Sequence, residues 1–323
     1  MKKTNIEWCD TTWNPITGCL HDCPYCYAHG IARRFGTFGE EKSAYEFGDD
    51  FIEEFHVNND INKPIMAVLH ENPEKEPYPF DFFPTFHRYR LNEPAKIKKS
   101  RTVFVGSMAD IFGEWIPDEW VQEVFKACEA APQHTYLFLT KNPTRYGRIV
   151  LHEAINPYVK QTNSLEHIKI HDMMNIDDIR AVKNMTHQEN RIRLQNEGYK
   201  MSVMKSAQNW MFPNNMYLGV TITTNKQAEK RNYGLSSRAQ GFLSIEPIEE
   251  KINLEFDEKE RGFIKLVIVG AETGRRKGKI IPKREWIADI VNACRTAGIP
   301  VFLKNNLAEI WGEPLIQELP WEV

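Results

Sequence analysis

The stretch Thr102-Val103-Phe104-Val105-Gly106 is a short, continuous apolar run that ends in a glycine. Leu137-Phe138-Leu139 and Val267-Ile268-Val269 repeat this pattern further along the chain. Uninterrupted apolar runs of this length are typical of strands covered on both faces, as they are in parallel sheets. The sequence therefore predicts an α/β protein with a parallel sheet.

Similar runs recur along the chain, and most are followed by a stretch with helical periodicity. This alternation is the pattern of consecutive βα units and predicts a TIM-like (β/α) barrel, full or partial. Two helices are expected, one opening at Pro117-Asp118-Glu119 and one over residues 284–297, before Gly298. The predicted strands cover residues 12–16, 85–91, 102–106, 136–139, 217–221, 241–245, 266–270 and 300–303.

Two stretches interrupt this rhythm. Residues 36–84 are acidic at first and then rich in proline and phenylalanine, and we expect them to be irregular. Residues 151–213 carry many His, Met, Asn and charged residues without a predicted strand, and we interpret them as a helical insertion. Connections of this length often carry function. We expect a single domain, residues 1–323, that contains both stretches.

Composition excludes several classes of protein. The 323 residues carry 41 Lys and Arg against 44 Asp and Glu, a net charge of −3, so the chain is not a basic nucleic-acid-coating protein. With 41% apolar residues it can bury a large core, which excludes a disordered or collagen-like chain. No apolar run approaches the roughly 20 residues that span a bilayer, and no apolar signal segment follows the first lysines. We therefore expect a cytoplasmic protein without a membrane partner.

Three of the six cysteines lie within eight residues. They belong to the segment Cys19-Leu20-His21-Asp22-Cys23-Pro24-Tyr25-Cys26, a C-x3-C-x2-C spacing just after the first predicted strand. Three soft thiolates without a fourth cysteine nearby suit a [4Fe–4S] cluster that has one iron left open. Cys128 and Cys294 lie on apolar helix faces, and we expect them to be core residues.

Two other interpretations of the motif stay open. A zinc-stabilised, non-catalytic binding protein would take its fourth ligand from His21, His29 or Cys9, although zinc sites normally combine two C-x2-C-like arms. A structural or redox iron–sulfur protein would use the three cysteines without a second cofactor. Metal content distinguishes the first interpretation, and the response of the cluster to a cofactor distinguishes the second.

The spacing, with an aromatic residue before the last cysteine, resembles that of the radical S-adenosylmethionine (radical SAM) superfamily. There, the open iron of a [4Fe–4S] cluster binds S-adenosyl-L-methionine. An external one-electron reductant then drives cleavage to a 5′-deoxyadenosyl radical that abstracts hydrogen from substrate. The resemblance implies an enzyme with these two cofactors, in which Cys19, Cys23 and Cys26 bind the metal and Tyr25 lies beside the adenine.

Further segments are similar to a phage- and prophage-associated, largely uncharacterised family of three-cysteine radical-SAM-like proteins. A phage-encoded partner protein is a further implication of this resemblance. Relatives often have a longer gap between the first two cysteines, and the Gly-Gly-Glu motif of many superfamily members does not follow the second or third predicted strand. The similar segments are Ile6-Glu7-Trp8, Thr12-Trp13-Asn14-Pro15, Thr17-Gly18-Cys19 and residues 105–110, 135–141, 242–247 and 267–274.

Polar residues at the carboxyl ends of the predicted strands are the candidates for chemistry, because the loops of a (β/α) barrel converge there. Carboxylates and hydroxyls can bind the cofactor's ribose and ammonium groups, whereas Lys141 or Lys304 can bind a carboxylate or phosphate. The candidate catalytic residues are Asp110, Lys141 and Glu246. The candidate cofactor-binding residues are Tyr25, Ser107, Asp110, Thr140, Thr221, Glu246 and Glu272.

Two basic runs differ in their position relative to the predicted strands. Residues 275–279, followed by Lys283 and Arg284, come after a strand and so lie at the expected barrel mouth. Residues 96–101 precede a strand and so lie at the opposite end. The side chains of the first run could bind successive phosphates of a nucleic acid. This run is the only indication of a nucleic-acid substrate, since no nucleic-acid-binding motif accompanies it.

Overall fold

The computed structural model describes residues 1–36, 52–55, 67–69, 78, 80–147, 212–231, 235, 239–274 and 276–321, with the backbone alone for residues 52–55. The chain forms two compact units, Met1–Pro143 with Phe212–Val323, and Thr144–Met211. The helical insertion predicted over residues 151–213 lies, apart from its last two residues, outside the described residues. Both sheets and the candidate site belong to the first unit.

The described elements follow the chain from β1 to β12 and from α1 to α7. The strands are β1 (Lys2–Lys3), β2 (Thr11–Trp13), β3 (Ile16–Thr17), β4 (Ile52–Phe55), β5 (Ala67–Leu69), β6 (Thr85–His87), β7 (Thr102–Val105), β8 (Thr135–Thr140), β9 (Met216–Thr221), β10 (Gln240–Ile245), β11 (Ile264–Val269) and β12 (Val301–Leu303). The α-helices are α1 (Tyr27–Phe35), α2 (Glu93–Lys96), α3 (Asp118–Glu129), α4 (Asn225–Lys230), α5 (Glu258–Phe263), α6 (Arg284–Ala297) and α7 (Ala308–Trp311). Short 3-10 helices cover Arg88–Arg90 and Asn305–Leu307.

Eight strands form the main sheet in the order β1-β2-β7-β8-β9-β10-β11-β12. Neighbouring strands are parallel throughout, except for the antiparallel pair β1 and β2. The mostly parallel α/β fold predicted from the apolar runs is therefore confirmed. The predicted helices correspond to α3 and α6, and Gly298 ends α6 in the left-handed conformation with a φ of 69°.

The main sheet does not close on itself. β1 covers the outer edge of β2, and residues 316–318 cover the outer edge of β12. On that second edge, the Leu303 N–H donates to the Ile316 carbonyl (2.7 Å) and the Glu318 N–H to the Val301 carbonyl (3.0 Å). Because both edges have other partners, β2 and β12 do not pair in the described part of the chain, and a closed barrel is not formed.

A second sheet, in the order β3-β6-β5-β4, contains the end of one predicted strand and the start of another. The strand predicted over residues 12–16 divides, because Pro15 lacks the N–H needed to continue the ladder between β2 and β3. The strand predicted over residues 85–91 ends at His87 and continues as a 3-10 helix. The expectation of an irregular stretch over residues 36–84 also needs correction, since β4 and β5 lie within it.

Side chains from one face of the main sheet meet in a single apolar cluster. Six successive strands, β7 to β12, contribute to it, which shows that the sheet curls around this face. Gly219 leaves the room for one large ring, because a Cβ at that position would lie 2.2 Å from Phe242. The buried members of the cluster are Trp8, Phe104, Leu137, Tyr217, Phe242, Leu266, Ile268 and Phe302.

The outer face of the main sheet is covered by helices. On α3 and α6 the side chains of Cys128 and Cys294 are fully buried, which confirms that both are core residues. Burial raises the pKa of the Cys294 thiol to about 12. None of the helices in the described ranges is long and apolar enough to cross a membrane.

Candidate active site

The cysteine motif lies in a loop whose start is fixed by backbone contacts. The Gly18 N–H donates to the Met108 carbonyl (2.9 Å), and the Cys19 N–H donates to the Phe82 carbonyl (3.1 Å). Gly18 has a φ of +88°, and a Cβ there would lie 2.2 Å from the Phe83 carbonyl oxygen. Only glycine therefore suits this position.

The other end of the motif leads into α1. The Cys26 N–H donates to the Cys23 carbonyl (3.0 Å), which closes a turn between the last two cysteines. Cys26 Sγ accepts a hydrogen bond from the His29 N–H (3.4 Å) and so caps the helix. The partial positive charge at the N-terminus of α1 therefore faces this sulfur.

Cys19, Cys23 and Cys26 are free thiols that line a cavity of about 260 Å³ at the carboxyl ends of the parallel strands. They also line a second cavity of about 390 Å³, together with His29 and Arg33 of α1. Burial raises the pKa of the Cys19 thiol to about 12, so its thiolate needs a positive partner such as a metal.

The structure brings all of the sequence-predicted site residues to the wall of the first cavity. Each of the strands β7 to β12 contributes residues at or just beyond its carboxyl end, as expected for parallel strands. The predicted residues that line the cavity are Cys19, Cys23, Tyr25, Cys26, Ser107, Asp110, Thr140, Lys141, Thr221, Glu246, Glu272 and Lys304.

Lys141, just beyond β8, contacts the cysteine loop directly. Its Nζ lies 3.0 Å from Cys23 Sγ and also donates a hydrogen bond to the Tyr25 hydroxyl. The ammonium stands over the Tyr25 ring, 4.5 Å from its centroid. Burial lowers the pKa of Lys141, but the hydrogen bonds to Cys23 and Tyr25 outweigh it, and the net pKa is raised. Lys141 is therefore a cation held against a cysteine sulfur.

Asp110 connects the cysteine loop to the end of β8. Its Oδ2 lies 2.8 Å from His21 Nε2 and accepts from the Lys141 N–H (2.9 Å). Its Oδ1 accepts from the Thr140 hydroxyl (2.7 Å) and from the Phe112 N–H (3.1 Å). Both oxygens of this buried carboxylate thus hold the cysteine loop to the end of β8.

Glu246 and Lys304 form an ion pair across the ends of β10 and β12. Burial raises the pKa of Glu246, although Lys304 offsets part of this effect. Gly270, at the end of β11, leaves space for the pair, because a Cβ there would lie 2.9 Å from Glu246 Cδ and 2.9 Å from Lys304 Cδ. In the described part of the chain, Lys304 donates to Glu246 Oε1 and no group donates to Oε2, so Oε2 can accept a hydrogen bond from a ligand.

Other polar groups of the cavity wall are held by neighbours. Arg276 donates two hydrogen bonds, of 2.7 and 2.6 Å, to the Glu272 carboxylate, and they lower the pKa of Glu272. The Ser107 hydroxyl donates to Asn14 Oδ1 (3.1 Å), and the Tyr27 hydroxyl donates to the Ser107 carbonyl (2.7 Å). The Ser107 oxygen can therefore still accept a hydrogen bond from a bound molecule.

A single-ion site is not present in the described residues, where no three His, Cys, Asp or Glu side chains are close enough to hold one metal ion. The proposed fourth zinc ligands also have other contacts. His21 pairs with Asp110, the His29 ring stacks on Phe82, and Cys9 packs against the apolar cluster. A [4Fe–4S] cluster makes a different demand, because each cysteine binds a different iron.

Sequence reasoning missed the residues that hold the candidates in place. Asn14 accepts a hydrogen bond from the Ser107 hydroxyl, and Tyr27 borders the cavity. Asn306 accepts from the Ala271 N–H (3.1 Å) and donates to the Ala271 carbonyl (2.7 Å). Tyr27 could have been found from its position directly after Cys26. The two asparagines carry no local signal, because their partners are distant in the sequence.

The chain belongs to the DUF5131 family, described as a protein of unknown function, which it matches over residues 3–314. No curated protein and no solved structure matches the chain. The matched residues include the main sheet from β2 to β12, the cysteine loop and the residues that line the first cavity.

Proposed function

We propose that the protein is a radical SAM enzyme that binds a [4Fe–4S] cluster through Cys19, Cys23 and Cys26. The observation that carries the proposal is the position of these free thiols in the wall of a cavity at the carboxyl ends of parallel strands. When bound, the cluster supplies the electron that cleaves S-adenosyl-L-methionine to a radical, which abstracts hydrogen from the substrate. In this reading the curled sheet is a partial (β/α) barrel.

The polar residues of the wall would bind S-adenosyl-L-methionine. The Ser107 hydroxyl already donates its proton to Asn14, so its oxygen is an acceptor for an ammonium or a ribose hydroxyl. The Thr140 hydroxyl donates to Asp110 and accepts from the Asn142 N–H (2.9 Å), which leaves one lone pair for a ligand. Glu246 offers a carboxylate oxygen for the same groups. Tyr25 supplies an aromatic face beside the cysteines, and Thr221 and Glu272 complete the binding candidates.

Three parts of the cavity wall have separate roles in the proposed site: Asp110, Lys141 and the Glu246–Lys304 pair. Asp110 positions the cysteine loop through His21, Thr140 and Lys141. Lys141 neutralises charge at Cys23, and the Glu246–Lys304 pair sets the charge at the far wall. The apolar lining from Trp8 and Phe104 would exclude water from a reactive radical.

The proposal requires reduced cysteines and an external one-electron reductant. It therefore includes a cytoplasmic location, because thiols persist in a reducing compartment. A phage-encoded partner protein stays a prediction from the sequence.

Metal analysis and spectroscopy test the proposal in one preparation. The protein is purified anaerobically, and iron, sulfide and zinc are measured. Electron paramagnetic resonance spectra of the dithionite-reduced protein are then recorded with and without S-adenosyl-L-methionine. We expect about four irons per chain and a signal that changes on addition of the cofactor. Zinc without iron or sulfide would support the non-catalytic zinc interpretation, and an unchanged signal would support a structural or redox cluster.

A pair of cysteine variants tests which thiols hold the cluster. Cys19→Ala should lose the iron and the cleavage of S-adenosyl-L-methionine. Cys294→Ala removes a buried thiol on α6 and should keep both. Cofactor cleavage by the Cys19 variant at the wild-type rate would overturn the proposal.

A further inference from the structure

The exposed large apolar side chains of the described chain fall into two groups. One lies in the cysteine loop and α1 and comprises Leu20, Tyr27, Ile31 and Phe35; the other is Ile280 with Ile281. Tyr27 of the first group lines the cavity, and the two isoleucines follow Glu272 and Thr273 of its wall in the sequence. Ile281 is 68% exposed, the largest exposed fraction in either group. Apolar groups left exposed beside a cavity indicate a binding surface.

The segment over residues 276–284, here called the mouth segment, is fixed to the cavity wall by two contacts. Arg276 holds the Glu272 carboxylate with two hydrogen bonds, and Lys279 Nζ donates to the Gly274 carbonyl (2.9 Å). The segment therefore starts at the wall and folds back against it. Ile280 and Ile281 directly follow Lys279, which is the residue that contacts Gly274 next to the wall.

Positive charge surrounds these isoleucines. Lys277 and Lys279 precede them, and Lys283 and Arg284 follow. Where the chain is described, none of these four cations forms an ion pair with a carboxylate. On α1, Arg33 and Arg34 are likewise exposed beside Ile31 and Phe35. The protein as a whole has a net charge of −3, so this local excess attracts an anion to the cavity entrance.

Cations that alternate with exposed apolar side chains match the chemistry of a nucleic-acid strand. The phosphates bind to lysine and arginine, and unpaired bases pack on aromatic or aliphatic side chains. A flat anionic lipid surface offers similar charge but cannot extend a reacting group into a cavity. A nucleic acid can, because an unpaired base leaves the stack and enters a pocket.

We propose that the substrate is a nucleic acid, bound as a single strand or a locally unpaired segment across the mouth of the cavity. Lys277, Lys279, Lys283 and Arg284 hold the phosphates. Ile280, Ile281 and Tyr27 pack against bases next to the one that enters the cavity. This inference rests on the proposed function, because it names the substrate class of the same site.

Fluorescence anisotropy tests the proposal with labelled oligonucleotides of about 20 nucleotides, in about 0.1 M salt. Single-stranded DNA, single-stranded RNA and the DNA duplex are compared, with vesicles rich in anionic lipid as a further probe. We expect a single-stranded form to bind more tightly than the duplex. Failure of every oligonucleotide to bind, or binding to vesicles alone, would overturn the proposal.

Charge reversal locates the binding surface. Lys277→Glu with Lys283→Glu should weaken binding at least about tenfold and reduce the slope of log affinity against log salt by about 1.4, since each phosphate contact on a single strand contributes about 0.7. Lys98→Glu with Lys99→Glu makes the same charge change before β7, at the opposite end of the sheet, and should leave binding within about twofold. Equal losses in the two double variants would overturn the assignment.

A third variant tests the apolar contribution. Ile281→Ala should weaken binding several-fold without changing the salt slope, because it removes packing area but no charge. All binding is measured both in the wild type and in Cys19→Ala, which separates this inference from the proposed function. Oligonucleotide binding by a wild-type protein that holds no iron–sulfur cluster would refute the radical mechanism alone. A cofactor-responsive cluster without oligonucleotide binding would refute the nucleic-acid substrate alone.

Discussion

The ammonium of Lys141 lies 3.0 Å from the sulfur of Cys23, although 118 residues separate them in the sequence. The contact joins the end of β8 to the cysteine loop. A cation that donates a hydrogen bond to a ligating sulfur stabilises the more negative, reduced form of an iron–sulfur cluster. The residue most directly placed to tune the proposed cluster is therefore outside the cysteine motif.

Replacing Lys141 with methionine should make the cluster harder to reduce. The change removes the charge and the hydrogen bond to Cys23 but keeps much of the side-chain volume. We expect the reduction potential to fall by tens of millivolts, on the order of the free energy of one charged hydrogen bond. An electron paramagnetic resonance redox titration measures it.

Lys304→Met is the matched control, because Lys304 lines the same cavity but pairs with Glu246 instead of a cysteine. We expect a smaller shift in potential for this variant at an unchanged iron content. A shift equal to that of Lys141→Met would mean that only the charge of the cavity matters.

Asp110→Asn should destabilise the protein by about 2 kcal/mol or more, because an amide nitrogen would face hydrogen-bond donors on one side of the side chain. Urea unfolding measures the loss. Asp289→Asn removes a carboxylate from an exposed ion pair with Lys251 and should cost less than about 1 kcal/mol. Equal free energies of unfolding for the two variants would contradict a positioning role for Asp110.

The main sheet could be predicted because its strands carry their signal locally, in apolar runs such as Val103-Phe104-Val105. The second sheet could not be predicted in this way. The run that begins at Thr85 has the same local pattern, but it pairs with β3 and β5, and buried His87 bonds to the Thr17 hydroxyl across 70 residues (2.9 Å).

Positions at strand ends were enough to predict which residues of the site come together. Asp110 and Lys141 each follow a strand, and parallel strands bring their carboxyl ends to one side. The partners of these residues were not predicted, because His21 lies 89 residues from Asp110 in the sequence. The roles proposed for such pairs, positioning for Asp110 and charge compensation for Lys141, rest on the three-dimensional contacts alone.

Glu246 should give the protein a pH-dependent stability that Glu246→Gln removes. Burial raises the pKa of Glu246 above its ordinary value of 4.5, so folding favours the protonated form. This contribution is complete below the ordinary pKa and is lost as pH rises through the raised pKa. The free energy of unfolding of the wild type, relative to Glu246→Gln, should therefore fall as pH rises from about 4.5 toward neutrality.

Glu272→Gln is the control with the opposite sign. The hydrogen bonds from Arg276 lower the pKa of Glu272, so its contribution is present above the ordinary pKa and is lost as pH falls. Urea unfolding across the pH range measures both variants. Parallel pH profiles for Glu246→Gln and Glu272→Gln would show that the environment of Glu246 does not raise its pKa.

Gly270→Ala should weaken the binding of S-adenosyl-L-methionine by displacing the Glu246–Lys304 pair. The added methyl group would lie 2.9 Å from carbon atoms of both side chains, so at least one must move. We expect affinity to fall about tenfold and the free energy of unfolding to fall by about 1 to 3 kcal/mol, the usual cost of overpacking. Calorimetric titration with the cofactor and urea unfolding measure the two effects.

Gly262→Ala is the control, because a Cβ at that position of α5 meets no atom within 4 Å. Alanine there should stabilise the helix by about 0.5 to 1 kcal/mol and leave cofactor affinity unchanged. Wild-type affinity in Gly270→Ala would mean that the Glu246–Lys304 pair does not contact the cofactor.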